Sequence, residues 1–282
     1  MESLARLQSR IHQLGELRGL FRALRALAAS HLQDAQTALT GMRSYAEVVE
    51  DAIARSLDLP AVADITLRSP NVGHADGMLI VICSEHGFAG AFNDRQLDFA
   101  IANRRDSERL MIVGQRGMTL AAERELDVAR DFPMATHVGG VLGITRRMAD
   151  ALADASTVRV VFAAYRRGGE SEPEMRQILP IDPNVVAKSS SRSRPLHHLP
   201  PAALLDCLAE EYLFAQITRA VLETLASENG ARLRAMESAD HNIEDKLDGL
   251  SREENTQRQE AITNELLDLA TGSEAILHKA EI

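Results

Sequence analysis

Every proline of the 282-residue chain lies between Pro60 and Pro201. Proline removes a backbone donor and clashes with the preceding turn, costing about 3 kcal/mol in a helix interior. Residues 1–59 and 202–282 exclude it and are rich in Ala, Leu, Glu, Gln and Arg, so each reads as one long helix. At about 1.5 Å per residue the second would reach roughly 120 Å, against a radius of gyration of about 14 Å for a compact domain built from the middle. A helix of that length cannot be buried in its own domain, and so it needs a partner.

Charge narrows the partner. The formal net charge is −10, which argues against general nucleic-acid binding. The distribution is uneven: Arg6, Arg10, Arg18, Arg22 and Arg25 open the first helix, while the C-terminal flank is acidic. A solvated face is the default reading of such arginines, and an acidic protein partner is nearly as good. The absence of Trp suits aliphatic helix seams better than an aromatic-lined pocket. Cys83 and Cys207 show no metal-ligand spacing and no disulfide framework, which predicts a reducing, cytosolic setting and no bound cofactor. No stretch approaches the ~20 apolar residues of a membrane span, and the N-terminus lacks a signal-peptide core. The expectation is a protein soluble by itself that can still dock on a membrane complex.

The first helix is expected from an N-cap at Ser3 to near Leu59. Leu4, Leu7, Ile11 and Leu14 keep the spacing of a coiled-coil seam. Leu17, Leu20 and Phe21 then shift the stripe, and Leu24, Leu27 and Ala28 continue it. Gly15 and Gly19 mark either close approach to a neighbour or a weak segment. Residues 60–75 read as a linker. The apolar run Met78–Cys83 is typical of a strand buried on both faces. A helix follows near 94–104, a strand at 110–113, a helix from Gly117 to about 126 and another at 141–153. Val158–Tyr165 is a strong strand, and Glu174–Ile181 suits an edge strand paired with it. This alternation predicts a mostly parallel sheet covered on both faces, residues 76–182. Residues 182–201 read as a flexible connection before the last helix. The apolar side of that helix runs from Leu204 to Leu250, then stops between Ser251 and Glu260, a polar interval suited to a wet or charged environment.

The turn Ser84–Asn93 is the best place for an enzyme reading, because a Gly-rich strand-to-helix turn can cradle phosphate. It lacks the P-loop ending and the full dinucleotide fingerprint, and Ser84 with His86 has no third partner for a triad. A tight structural turn is the preferred reading. Residues 169–173 superficially resemble a nucleophile elbow, but Pro173 replaces the closing glycine. His197 and His198 would bind metal only with ligands from elsewhere.

One stretch is more specific. Residues 255–275 resemble the C-terminal signature of the ATP synthase gamma subunit family: Ile262, Thr263, Glu265, Asp268 and Gly272 match, while Ser273 replaces the usual Ala. Ala226-Ser227-Glu228 and Arg232 through Glu237 resemble the family's approach to that signature, Ser84–Asn93 its Gly-rich turn, and Arg10-Ile11 with Ala23–Ser30 its first helix. The resemblance covers essentially the whole chain in order. It implies a long antiparallel coiled coil of the N- and C-terminal helices (1–59 and 202–282) plus a central Rossmann-like α/β domain. It also implies a non-catalytic central rotor stalk of an F-type ATP synthase, coupling ion-driven c-ring rotation to the alpha/beta catalytic ring. The partners it implies are the alpha and beta subunits, the epsilon subunit and the c-ring. The location would be peripheral, on the cytoplasmic face of a bacterial inner membrane. By the family pattern Arg258 and Gln259 resemble a polar pair touching a catch loop of the ring, and Arg22 and Arg25 would face acidic beta segments. The C-terminal end would be an axle tip in an apolar bearing. Glu16, Leu17, Gly19, Leu20, Phe21, Leu24 and His31 depart from the family's first helix, where lysines are usual. The competing readings are a coiled-coil scaffold and a small α/β enzyme with helical arms.

Overall fold

The computed structural model describes residues 4–57, 59, 77–166, 171–182 and 196–280; the side chains of residues 268 and 270–280 are not described. The elements are α1 (Leu4–Leu57), β1 (Gly77–Ile82), α2 (Phe92–Asn103), β2 (Glu108–Val113), α3 (Gln115–Glu123), β3 (Val128–Phe132), α4 (Val138–Ala151), β4 (Thr157–Tyr165), β5 (Ser171–Leu179) and α5 (Pro201–Ala280). The N-cap expected at Ser3, the linker at 60–75 and residues 183–195 of the later connection lie outside the described residues. The chain divides into two units, one of residues 27–235 and one of residues 1–26 with 236–282.

In the larger unit the sheet order is β3-β2-β1-β4-β5. β1 pairs in parallel with β2 and β4, β2 with β3, and β5 runs antiparallel to β4. Every residue of the central strand β1 is buried, as an apolar run with helices on both faces requires. α2 and α3 cover one face through Leu97, Ala100 and Ala121. α1, α4 and α5 cover the other, with Leu39, Ile53, Val141, Met148, Ile217 and Val221 meeting Ile80, Val160 and Phe162. Right-handed crossovers explain the division: β1 to β3 advance in one direction, and the step back to β4 sends α4 to the opposite face. β3 was not anticipated. Val-Ala-Arg-Asp-Phe mixes charge with apolar residues because an edge strand, half open to water, needs no apolar run.

Close packing where β1 and β2 end depends on two glycines. Gly114 has φ +101°, and a Cβ there would lie 2.6 Å from the Cys83 and Ser84 carbonyl oxygens. A Cβ on Gly117 would lie 2.5 Å from that of Cys83. Gly114→Ala is expected to lower stability by roughly 3 kcal/mol, seen as a fall in thermal midpoint or in yield of folded protein.

From Tyr212 to Ala231 every residue of α5 except Arg219 is buried, so this stretch has no solvent face. Its polar side chains are therefore bonded: Gln216 donates to Glu50 at 2.8 Å, Thr218 to Thr145 at 3.0 Å, and Asn229 to the Leu225 carbonyl at 2.8 Å.

In the smaller unit the two helices run antiparallel, since Gln8 reaches Glu254 at 2.9 Å and Arg18 reaches Asp240 at 2.8 Å. The shielded positions of α1 include Leu4, Leu7, Ile11, Leu14, Arg18, Phe21 and Arg25; those of α5 include Met236, Asp240, Ile243, Leu247, Leu250, Glu254 and Gln257. Both sets keep an unbroken alternation of three and four residues, the mark of a heptad seam. The expected shift of the stripe is therefore corrected. Leu17 and Leu20 are 39% and 54% exposed, and Arg18 holds the seam place between them. The reason is the carboxylate opposite, which lets a cation occupy an apolar register. Gly15 and Gly19 have nothing within 4 Å of an added Cβ, so among the described residues they make no close approach.

Candidate functional site

In an open α/β sheet, ligands bind outside the carboxyl ends of the strands where the strand order reverses. Here that point lies between β1 and β4. The two pair as far as Val81 and Val161, after which Cys83 N–H turns to the Val113 carbonyl at 2.8 Å. This leaves the Ala163 backbone of β4 facing the gap. α5 fills the gap. The Ala163 N–H donates to Thr224 Oγ1 at 3.3 Å, and Ser227 Oγ donates to the Ala163 carbonyl at 3.0 Å. One turn on, Arg232 donates to Glu228 at 2.5 Å and to the Gly87 carbonyl at 3.4 Å.

The Gly-rich turn is committed to its own shape. Ser84 is fully buried; its hydroxyl donates to the His86 carbonyl and accepts from Asn93 Nδ2, both at 2.8 Å. Its N–H donates to Asn93 Oδ1 at 2.8 Å. A serine so held meets no imidazole, while the His86 ring is exposed. Phe88 and Gly90 take φ of +65° and +61°, which closes the turn. Ser171 opens β5 and is buried, which is no elbow geometry, and the His197 ring meets the Leu199 carbonyl at 2.8 Å.

What remains accessible lies on the helices. Arg258 is on the outer face of α5, donating to Glu254 at 2.8 Å with its side chain 55% exposed, and Gln259 beside it is exposed. Ile262, Leu266, Leu267 and Leu269 follow, between 51% and 70% exposed, beyond the seam's last shielded residue Gln257. Thr263 Oγ1 donates to the Gln259 carbonyl at 2.8 Å, and Glu265 is exposed. Asp268 and Gly272 lie on the same helix. Arg25 occupies a half-buried seam place, and Arg22 sends Nε to Asp240 at 3.2 Å while its side chain stays 54% exposed. Sequence reasoning brought none of Asp240, Glu228 or Thr224 forward as partners. Their signal was available in part, because a charge at a seam position calls for a countercharge.

A family model described as ATP synthase matches residues 3–276. An ATP synthase gamma chain from Anaeromyxobacter sp. (strain Fw109-5) is 30% identical, the match covering 98% of this chain and all of the relative. One from Geotalea uraniireducens (strain Rf4) is also 30% identical, covering 98% and 99%.

The chain belongs to the ATP synthase gamma family.

Solved structures bear out the gamma fold. The central stalk and c-ring of Tetrahymena thermophila mitochondrial ATP synthase contain a chain with a TM-score of 0.59 at 19% identity, covering 78% of this chain and 99% of that one. Euglena gracilis mitochondrial ATP synthase, in an OSCP/F1/c-ring structure, gives 0.59 at 15%, covering 95% and 97%. No described helix of this gamma chain is long and apolar enough to cross a membrane.

Proposed function

We propose that this gamma chain is the rotor that couples ion-driven turning of a c-ring to conformational change in a ring of alpha and beta subunits. The observation that carries this is a family match along nearly the whole chain, joined to a helical pair in which α5 outruns the seam. A rotor without symmetry presents different side chains to successive catalytic subunits, and each subunit responds by its differential affinity between states. The chain itself makes and breaks no bonds. Arg258 and Gln259 are the contact to a catch loop of the ring. Arg22 and Arg25 lie toward acidic beta segments, and the exposed leucines past Ile262 are the axle tip in an apolar bearing. The α/β unit contacts the epsilon subunit and the c-ring, at the cytoplasmic face of a bacterial inner membrane.

The test is reconstitution with a ring of alpha and beta subunits and a membrane sector, measuring ATP synthesis driven by an ion gradient. The chain should restore it. Arg258→Ala with Gln259→Ala should lower the coupled rate roughly tenfold, the equivalent of about 1.4 kcal/mol. Unchanged synthesis in that variant would remove the catch contact. A scaffold would self-associate and restore nothing, and an enzyme would turn over a small substrate alone.

A further inference from the structure

We propose that a cavity between α1, β5 and α5 of the larger unit binds a small organic anion, a phosphate or carboxylate that also carries a hydroxyl. The cavity measures about 600 Å³, the size of a small-molecule site, and its lining includes Arg176, Arg219, Gln216, Tyr212, Glu50 and Asp182. Arg176 pairs in register with Val160 of β4. Directly opposed residues share a face, so this cation stands on the side of the sheet that α1, α4 and α5 cover. Arg159 and Arg232 are similarly shielded, and each grips a carboxylate, Glu108 and Glu228. Arg176 is held differently. Its guanidinium lies over the Phe162 ring, 4.5 Å from the centroid, and Nη1 is sealed from water with no hydrogen-bond partner among the described residues. Burial first, then the nearby Arg219 charge, pull it below its ordinary range despite Glu223 and Glu174.

The neighbouring groups leave the same needs unmet. Arg219 is the one residue of α5 between Tyr212 and Ala231 that is not buried. Its Nε meets Glu223 at 3.1 Å, a carboxylate shared with Arg43 at 3.6 Å. Gln216 is 2% exposed. The Glu50 carboxylate can only accept, so Gln216 turns Nε2 toward it at 2.8 Å and leaves Oε1 without a partner. Burial, then Glu50, pushes the Tyr212 phenol up to about 12, so it remains an O–H donor. Asp182 already has a partner. Two cations therefore lack a full acceptor, and one amide oxygen lacks a donor. An oxyanion beside a hydroxyl supplies both, and the charge-assisted bond gains most where the guanidinium is already dehydrated.

The test is calorimetric titration of the purified full chain with glycerol 3-phosphate, glycerate and glycerol in low-salt buffer. The lining residues all belong to one unit, so the outcome is independent of the rotor reading. The net charge of −10 disfavours diffuse adsorption of anions, so saturable binding reports a built site. At least one of the two anions should saturate below about 10 mM, glycerol should not, and the preferred anion names the head group. Arg176→Met should weaken that binding roughly tenfold or more. Its unliganded thermal midpoint should equal or exceed that of the wild type, because a cation without a countercharge is gone. Arg219→Met, at a side chain 29% exposed, spares the fold and should also weaken binding. The anion site is overturned if neither anion saturates, if glycerol binds as well, or if neither arginine variant loses affinity. A midpoint well below wild type in Arg176→Met would make the guanidinium a prop for Phe162 and overturn it too. Methyl phosphate and acetate, which lack the hydroxyl, should bind more weakly; equal affinity would strike Gln216 from the site.

Discussion

Replacing Arg159 by methionine is expected to cost about 3–5 kcal/mol of folding stability, because it leaves a buried carboxylate without its countercharge. Arg159 on β4 grips Glu108 on β2 with Nε and Nη2, both at 2.5 Å, and gives Nη2 also to the Asn103 carbonyl at 2.8 Å. Glu108 is 2% exposed and takes a further bond from the Arg105 N–H at 2.9 Å. Burial pushes its carboxyl up, but the Arg159 and Arg105 hydrogen bonds and charges outweigh that and hold it below its ordinary range. A depressed carboxylate stabilises the fold above its unfolded pKa, and that contribution is lost as pH falls through the folded value. Urea unfolding of the wild type should therefore weaken on acidification more than that of Arg159→Met. Adding Glu108→Leu to Arg159→Met should recover most of the loss, since an apolar pair needs no compensation. No recovery would mean that packing of the arginine stem dominates.

Glu228 is expected to behave in the opposite sense. It is buried on α5, and burial, opposed by the charge and hydrogen bond of Arg232, pushes its carboxyl up from an ordinary 4.5 to about 7. One of its oxygens meets Arg232, while Oε2 has no hydrogen-bond partner among the described residues. Between those two pH values the folded chain binds the extra proton, so stability falls as pH rises through the window. Glu228→Gln removes the ionisation and should be more stable than wild type at pH 8, on the order of 2–3 kcal/mol, with no advantage near pH 4. Arg232→Met should do the reverse, losing most above pH 7. A difference between Glu228→Gln and wild type that does not vary with pH would contradict the assignment.

The fold class was legible because its signals are strong: proline exclusion for the long helices, and apolar runs such as Met78–Ile82 alternating with helical patterns for the sheet. β3 was hidden because an edge strand of five residues carries no such run. The stripe through Leu17 and Leu20 was misread because hydrophobicity alone fixes no helical phase once a cation can occupy the seam. The polar side chains of α5 between Tyr212 and Ala231 carry no partner in the pattern itself; only the helices and the sheet packed against them reveal what they bond. Arg258, Gln259 and the signature residues sit on the last helix, where proline exclusion placed them; the ring contacts proposed for them would lie on other chains, so no pattern within this one displays them.

The filling of the gap between β1 and β4 has a consequence for how the molecule is made. The sheet lies in the middle of the chain, yet the donors and acceptors completing its open edge at Ala163 come from Thr224 and Ser227. A ribosome delivers these some sixty residues later. Until then the Ala163 N–H and carbonyl lack the partners that the complete chain gives them. Folding of the middle therefore waits on the end, and a chain truncated before α5 emerges should leave an unfinished domain for chaperones and proteases to find.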